Sequence, residues 1–273
     1  MIRVYLEGIG LRGEGLDGWP AAAAVLADGQ SRYTRLPINL PPSALLPPNE
    51  RRRMVTTVKL AIAVGTEAFA HAQRDPSETA TVFTSSGGDG DTIHNILEAV
   101  TCDHIEVSPM RFHNSVHNAP SGYWSIATKS SAPTTSLCVH DASFSAGLLE
   151  AAAQATVDQC AVGLIAYDLP YPEPLNTVRT INSMFATALV MTPAPSAATF
   201  ASLAIALTQG NEPPSVMVES ELEAIRCGNP AARSLPLLEA LARGSEAKIV
   251  LDYLGEHGVT VSVTPLPMAP TAQ

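Results

Sequence analysis

Covalent catalysis in this chain would have to start from one of four cysteines, Cys102, Cys138, Cys160 and Cys227, or from a serine activated by a neighbouring base. Cys138 has His117 and His140 near it in sequence, and Ser143 follows as a second candidate nucleophile. A thiol paired with an imidazole could carry an acyl group as a thioester, the step of an acyltransferase or a condensing enzyme. The same cysteine also reads as a small buried hydrophobe. Leu137 and Val139 flank it in an apolar strand that offers little to lower a thiol pKa. The four cysteines are far apart and form no CxxC pair, so neither structural zinc nor a disulfide framework is expected. Gly87-Gly88-Asp89-Gly90 lacks the Lys of a phosphate loop and the spacing of a dinucleotide fingerprint, and is expected to be a turn. There is no GxSxG elbow, which argues against an α/β-hydrolase. Arg51, Arg52 and Arg53 fall at an expected helix start, where positive charge opposes the dipole. They read either as a solvated cluster or as a contact for an acidic partner.

These residues need a frame to hold them. The chain has 273 residues, 46% of them hydrophobic, enough for one large α/β domain or two fused halves. Only 15% are charged, a composition that suits a protein covering part of its surface with a partner. The net charge of -10 and the lack of a basic stripe argue against nucleic acid. The opening MIRVYLEGIG has neither the basic leader nor the long apolar centre of a secretion signal, and no apolar run is long enough to span a bilayer. A cytoplasmic protein is expected, without metal or other cofactor.

Strands and helices alternate. Apolar and polar residues alternate over 2–7, as in a half-buried strand. Five prolines make 37–48 an irregular loop, after which Asn49 caps a helix over roughly 50–72 with Val55, Val58, Ile62, Gly65 and Phe69 on one face. A buried strand is predicted at 79–85, a helix near 91–100, a polar, turn-rich stretch with a helix from about Pro120 to Thr128, and a short strand at 134–139. An alanine-rich helix follows at 143–157, then buried strands at 160–167 and 185–191 and an apolar element at 198–208. Residues 209–235 read as loop, followed by a helix at 236–243, a helix or strand at 247–254, a strand at 258–264 and a frayed, proline-containing tail at 265–273.

The stretch 107–170 carries a resemblance to the β-ketoacyl synthases. The matching text is Pro109-Met110-Arg111-Phe112-His113-Asn114-Ser115, then Asn118-Ala119-Pro120-Ser121-Gly122 and Trp124-Ser125-Ile126-Ala127-Thr128. Ala132-Pro133 stands where the family has Gly-Pro, and Asp141 stands eight residues after that proline, at the position of the family's nucleophilic cysteine. The "RR" helix is echoed by Arg51, Arg52 and Met54, and the "GTS-G" strand end by Phe83-Thr84-Ser85-Ser86-Gly87. The resemblance covers roughly residues 1–192, about the first half of a ketosynthase.

It implies an α/β, thiolase-like fold of layered αβαβα type with a truncated second half. Residues 1–192 would form the ketosynthase N-terminal-like domain and 193–273 a short remnant completing the second half. Asp141 cannot form a thioester, and its carboxylate would repel a malonyl carboxylate in a pocket of low dielectric. It can also simply cap the helix that follows, and the two roles are compatible. His257, in Glu256-His257-Gly258-Val259-Thr260, echoes a family histidine motif but lies too close to the end for a second histidine element to follow. His113, His117 and His140 are not where the family keeps its catalytic histidines. The resemblance therefore points to a non-catalytic subunit of chain-length-factor type, including those of aryl polyene pathways. Its partner would be an active β-ketoacyl synthase in a heterodimer, with an acyl carrier protein met indirectly. The family's interface would fall on 134–139 and 112–130, and Phe112, Trp124, Cys138 and Phe144 are the acyl-pocket or interface candidates. For the aromatic three, plain core packing is the competing account. A stand-alone acyltransferase or condensing enzyme using Cys138 or Ser143, and a homodimeric scaffold, are the alternatives.

Overall fold

The computed structural model describes residues 1–28, 33–40, 43–102, 106–209 and 212–267. The long strand β1 (Ile2–Gly13) organises the rest. Next come β2 (Leu16–Asp17), α1 (Trp19–Ala27), α2 (Pro48–Arg53), α3 (Thr56–Ala72), β3 (Ala80–Thr84), α4 (Gly90–Thr101), α5 (Pro109–Asn114) and α6 (Ala119–Thr128). Then follow β4 (Thr134–Leu137), α7 (Ser143–Asp158), β5 (Val162–Asp168), α8 (Leu175–Val178), β6 (Phe185–Thr192) and β7 (Ala201–Gln209). The chain closes with α9 (Ser220–Gly228), α10 (Leu235–Arg243), β8 (Ala247–Asp252) and β9 (His257–Pro265).

One sheet runs in the order β4-β3-β5-β6-β1-β7-β9-β8, with β2 paired to β1. Strands β4, β3 and β5 are parallel, and every other pairing is antiparallel. β5 and β6 are buried along their whole length, which is why both read as continuous apolar runs. β1 shifts register at a bulge between Leu6 and Gly8. Val4, Leu6, Ile9 and Leu11 thereby join a single core with residues of α1, α7 and α10. On the opposite face α3 lies directly on the strand: a Cβ at Gly8 or Gly10 would strike the Ala68 or Val64 carbonyl oxygen. A second core on that face gathers α3 and α6 around Phe69, Phe83, Trp124 and Ile165.

The fold is mixed α/β and thiolase-like, as expected, but its layers are fewer. The strands of the C-terminal part continue the first sheet through β1 instead of forming a separate one. Among the described residues no helix covers the outer face of β7–β9–β8. Their inner residues Leu203, Ile205, Val259, Val261 and Val263 are core, while the alternate positions Ala204, Ala206, Thr260 and Ser262 are small or polar and can face water.

Most predicted elements are present, with four corrections. The helix expected over 50–72 is two helices. Met54 and Val55 are extended, Met54 is buried, and Pro47 rather than Asn49 stands at the start of α2. Arg51, Arg52 and Arg53 consequently occupy the last turn of α2, where the dipole favours positive charge. The region 209–235 holds α9 and a 3-10 turn at Ala231–Ser234. The helices α1 and α5 were not anticipated. Residues 268–273 of the expected frayed tail lie outside the described residues. No helix among the described residues is long and apolar enough to cross a membrane.

Candidate functional site

The site sits where β4 hands over to α7. β4 ends at Leu137, His140 takes a left-handed backbone conformation (φ 49°), and His140–Ala142 form a 3-10 turn that leads into α7. Ser143 ties the turn: its hydroxyl donates to the His140 carbonyl at 2.7 Å and accepts from the Val139 N–H at 3.0 Å. Thr84, at the end of β3, donates to the Ser143 carbonyl at 2.8 Å. Gly147 lets α7 approach Thr84 and Leu164, where a Cβ would collide with both side chains. The first turn of α7 is thus fixed against the carboxyl ends of β3 and β5. The Ser143 hydroxyl is committed to the backbone and is not poised as a nucleophile.

Asp141 is at the tip of this buried helix, but it does not cap it. The N-cap position is Ala142, without a side-chain cap, so the capping role expected for Asp141 is corrected. Arginines from elsewhere in the chain draw the carboxylate away. Arg179 Nη2 donates to Oδ1 at 2.5 Å, Arg233 Nη2 is 3.4 Å from Oδ2, and His140 Nδ1 is 3.6 Å from Oδ1. Burial alone would push the Asp141 carboxyl up, but the Arg179 hydrogen bond and the nearby positive charges outweigh it and hold the group below its usual value. The charges continue outward. Arg233 Nη1 is 2.6 Å from Asp252 Oδ2, and Arg226 Nη1 is 3.7 Å from the same oxygen. Arg226 in turn makes a two-pronged bond to Glu223, 2.7 Å on each prong.

Cys138 is exposed, one residue beyond β4, rather than buried within an apolar strand. The strand ends before it reaches that position. Its thiol donates to the Ser86 carbonyl at 2.9 Å, and His117 Nε2 lies 3.2 Å from the neighbouring Ser85 carbonyl. Thiol and imidazole are therefore held on adjacent carbonyls of one turn. The glycine stretch 87–90 does form a turn and the first residue of α4, with Asp89 capping that helix through Thr92 N–H.

Sequence reasoning gave no role to Asp168, the last residue of β5. Its carboxylate is buried, and Oδ1 accepts from Ser85 Oγ at 3.0 Å and from both Ser86 N–H and Oγ at 2.8 Å. Oδ2 has no partner among the described residues. Burial, only partly offset by the serines and by Arg179, pushes its carboxyl up to about 6. The available signal was a charged residue ending a seven-residue strand that is otherwise apolar or small.

The remaining candidates separate. Phe112, on α5, is 67% exposed, in line with exposed Met110, Val116 and Ile126. Trp124 is 1% exposed and packs between Phe69 and Phe83, with ring centroids 5.4 and 6.4 Å away. Phe144 is buried in the core on the other side of the sheet. His113 is exposed beside Tyr123, and His257 begins β9, its Nδ1 3.3 Å from the Thr208 carbonyl.

The chain thus carries a strand-to-helix turn with a carboxylate, not a thiol, at its tip, on a mixed sheet flanked by helices. The chain belongs to the β-ketoacyl synthase family: residues 26–248 match the model of the β-ketoacyl synthase N-terminal domain. No curated protein sequence matches it. Solved structures are similar at low identity. A ketosynthase (ApeO) in complex with its chain length factor (ApeC) from Xenorhabdus doucetiae superposes with a TM-score of 0.74 at 20% identity, covering 96% of this chain and 100% of that one. AntDE:AntF, a type II PKS acyl-carrier protein in complex with its ketosynthase, gives a TM-score of 0.78 at 11% identity over 97% of this chain and 99% of that one. The ishigamide ketosynthase/chain length factor gives 0.72 at 12% identity over 98% and 100%.

Proposed function

We propose that this chain is a non-catalytic, chain-length-factor-type subunit that pairs with an active ketosynthase and shapes its acyl pocket. The observation that carries this reading is Asp141. At the tip of the buried helix stands a carboxylate that cannot hold an acyl group as a thioester, already paired with Arg179 and Arg233. Among the described residues no cysteine stands at the tip itself; Cys138 lies three residues earlier in the chain. A polyene-type pathway is the context that the family resemblance suggests. The acyl carrier protein would be met through the partner. We read residues 1–192 as the ketosynthase-like domain and 193–273 as what completes it.

The pairing surface is the free edge of the sheet. β4 pairs only with β3 among the described residues. The opposite edge, β8, is covered: Ser215 N–H donates to the Val250 carbonyl at 2.8 Å, and Val250 N–H donates to Ser215 Oγ at 3.0 Å. α6 packs on β4 and its exposed Ile126 shares a groove with Phe112 and Val116, while α4, packed on α5, adds Ile93, Leu97 and Val100 at helical spacing. An open edge beside an exposed apolar surface suits a stable protein interface. Trp124 would act on an acyl pocket from behind this surface, by supporting it, and Phe144 from the other side of the sheet, by supporting the start of α7. The test is co-expression with a ketosynthase encoded beside this chain. Co-purification as a one-to-one complex is expected; two proteins that never associate would overturn the proposal.

One observation favours a second reading. Cys138 is exposed and shares a turn with His117, so a displaced thiol nucleophile has physical access to substrate. A covalent acyl adduct on Cys138 of the purified chain would support it.

A further inference from the structure

The charges around Asp141 do more than fill a vacated position. They form a ladder of alternating sign, Arg179, Asp141, Arg233, Asp252, Arg226 and Glu223, three positive and three negative. The ladder starts in the segment after β5, crosses the tip of α7 and ends on α9. Its members come from both sides of the sequence division near residue 192. Neutral bonds follow the same seam. Ser145 Oγ, in the first turn of α7, donates to the Asp252 carbonyl at 2.6 Å. Asn229 is buried and donates to the Asp168 and Ser183 carbonyls at 3.0 and 2.8 Å, while its own oxygen receives Ala231 and Ala232 N–H. Asn182 N–H donates to the Gly228 carbonyl at 3.0 Å, and its side chain to the Ala224 carbonyl at 3.2 Å.

We propose that the helix tip at Asp141 is an electrostatic clasp that fastens residues 219–252 onto α7 and the segment that bears Arg179. Two physical facts favour this over a scatter of surface pairs. The arginines are largely covered: the Arg226, Arg233 and Arg179 side chains are 10, 20 and 24% exposed. Partly buried ions that alternate in sign depend on one another, because removing one leaves its neighbours desolvated and uncompensated. The seam is also crossed by directed polar contacts. Arg233 meets Asp141, the Asp252 carbonyl meets Ser145 and Asn229 meets the Asp168 and Ser183 carbonyls, beside the buried apolar residues Leu222, Ile225, Ala231 and Ala232. The clasp gives Asp141 a positioning role, and gives the C-terminal segment a task at this site. It is independent of whether the chain carries an acyl group, so an acyl adduct would overturn the proposed function and leave the clasp standing.

Hydrogen–deuterium exchange read by mass spectrometry on the full chain tests it. Asp141→Asn keeps the shape and removes the charge. Peptides covering 219–234 and 247–252 should exchange at least about tenfold faster, with peptides from α3 unchanged. Adding Arg233→Gln to Asp141→Asn should cause less further loss than Arg233→Gln causes alone, the signature of a shared interaction. Unchanged exchange over 219–252, or equal acceleration in α3, would overturn the clasp. If Asp141→Asn does not fold, Arg179→Gln removes the rung on the N-terminal side of Asp141. It should speed exchange over 219–228 about two- to fivefold and spare α3; no change there would overturn the clasp equally.

Discussion

Replacing Asp168 by asparagine should stabilise the protein at high pH and progressively lose that advantage as the pH falls. The carboxyl is buried, with three serine donors on Oδ1 and none on Oδ2. Its folded value of about 6 stands against about 3.9 in an unfolded chain. The folded state therefore holds this proton more tightly, and stability falls as pH rises from the unfolded value through the folded one. Two pH units at about 1.4 kcal/mol each give a cost of about 3 kcal/mol, fully developed above pH 7. Asparagine keeps an oxygen for Ser85 and Ser86 and carries no charge to desolvate, but burying its polar amide at the Oδ2 position offsets part of the gain. The pH dependence of the difference is cleaner than its absolute size. Urea unfolding of both proteins at pH 4.5 and pH 8 should show the stability of Asp168→Asn relative to the natural chain rising by about 2 kcal/mol. A difference that does not change with pH would refute the reasoning, because it would mean that Asp168 ionises in the fold as easily as in water.

Two further outcomes follow from packing. Trp124→Ala removes an indole enclosed by Phe69 and Phe83 and should cost about 3–5 kcal/mol in urea unfolding, whatever the partner does. Phe112→Asp, at an exposed position, should leave the unfolding midpoint within about 0.5 kcal/mol of the natural chain and sharply weaken co-purification with the ketosynthase; normal pairing would remove α5 from the interface.

Local patterns carried much of this fold. The alanine-rich helix after Asp141 and the apolar strands over 160–167 and 185–191 were legible because buried elements write their period or their continuous hydrophobicity directly. The break at Met54 and Val55 was not legible, since helical spacing runs on across it and only the burial of Met54 pulls the chain out of line. α9 was missed because Pro213, Pro214 and Pro230 frame it and its nine residues include three charged ones, Glu221, Glu223 and Arg226, and end on Gly228. At the site, resemblance located Asp141, but nothing local showed its partners. Arg179 lies 38 residues away, and Arg233 belongs to a region read as loop. Capping was the sensible local expectation for an Asp before a helix, and long-range ion pairing prevailed over it. Cys138 reversed in a similar way: its apolar neighbours suggested burial, yet β4 is an edge strand that ends one residue too soon.

The central claim is that acyl transfer cannot begin at this helix tip, and intact-mass spectrometry tests it most directly. The purified chain is incubated with an acyl thioester in excess, and its mass is read before and after. An unchanged mass is expected, alone and when the proposed ketosynthase partner in the same mixture becomes acylated. A mass increase of one acyl group on this chain, mapped to Cys138 or to Ser143, would contradict the account.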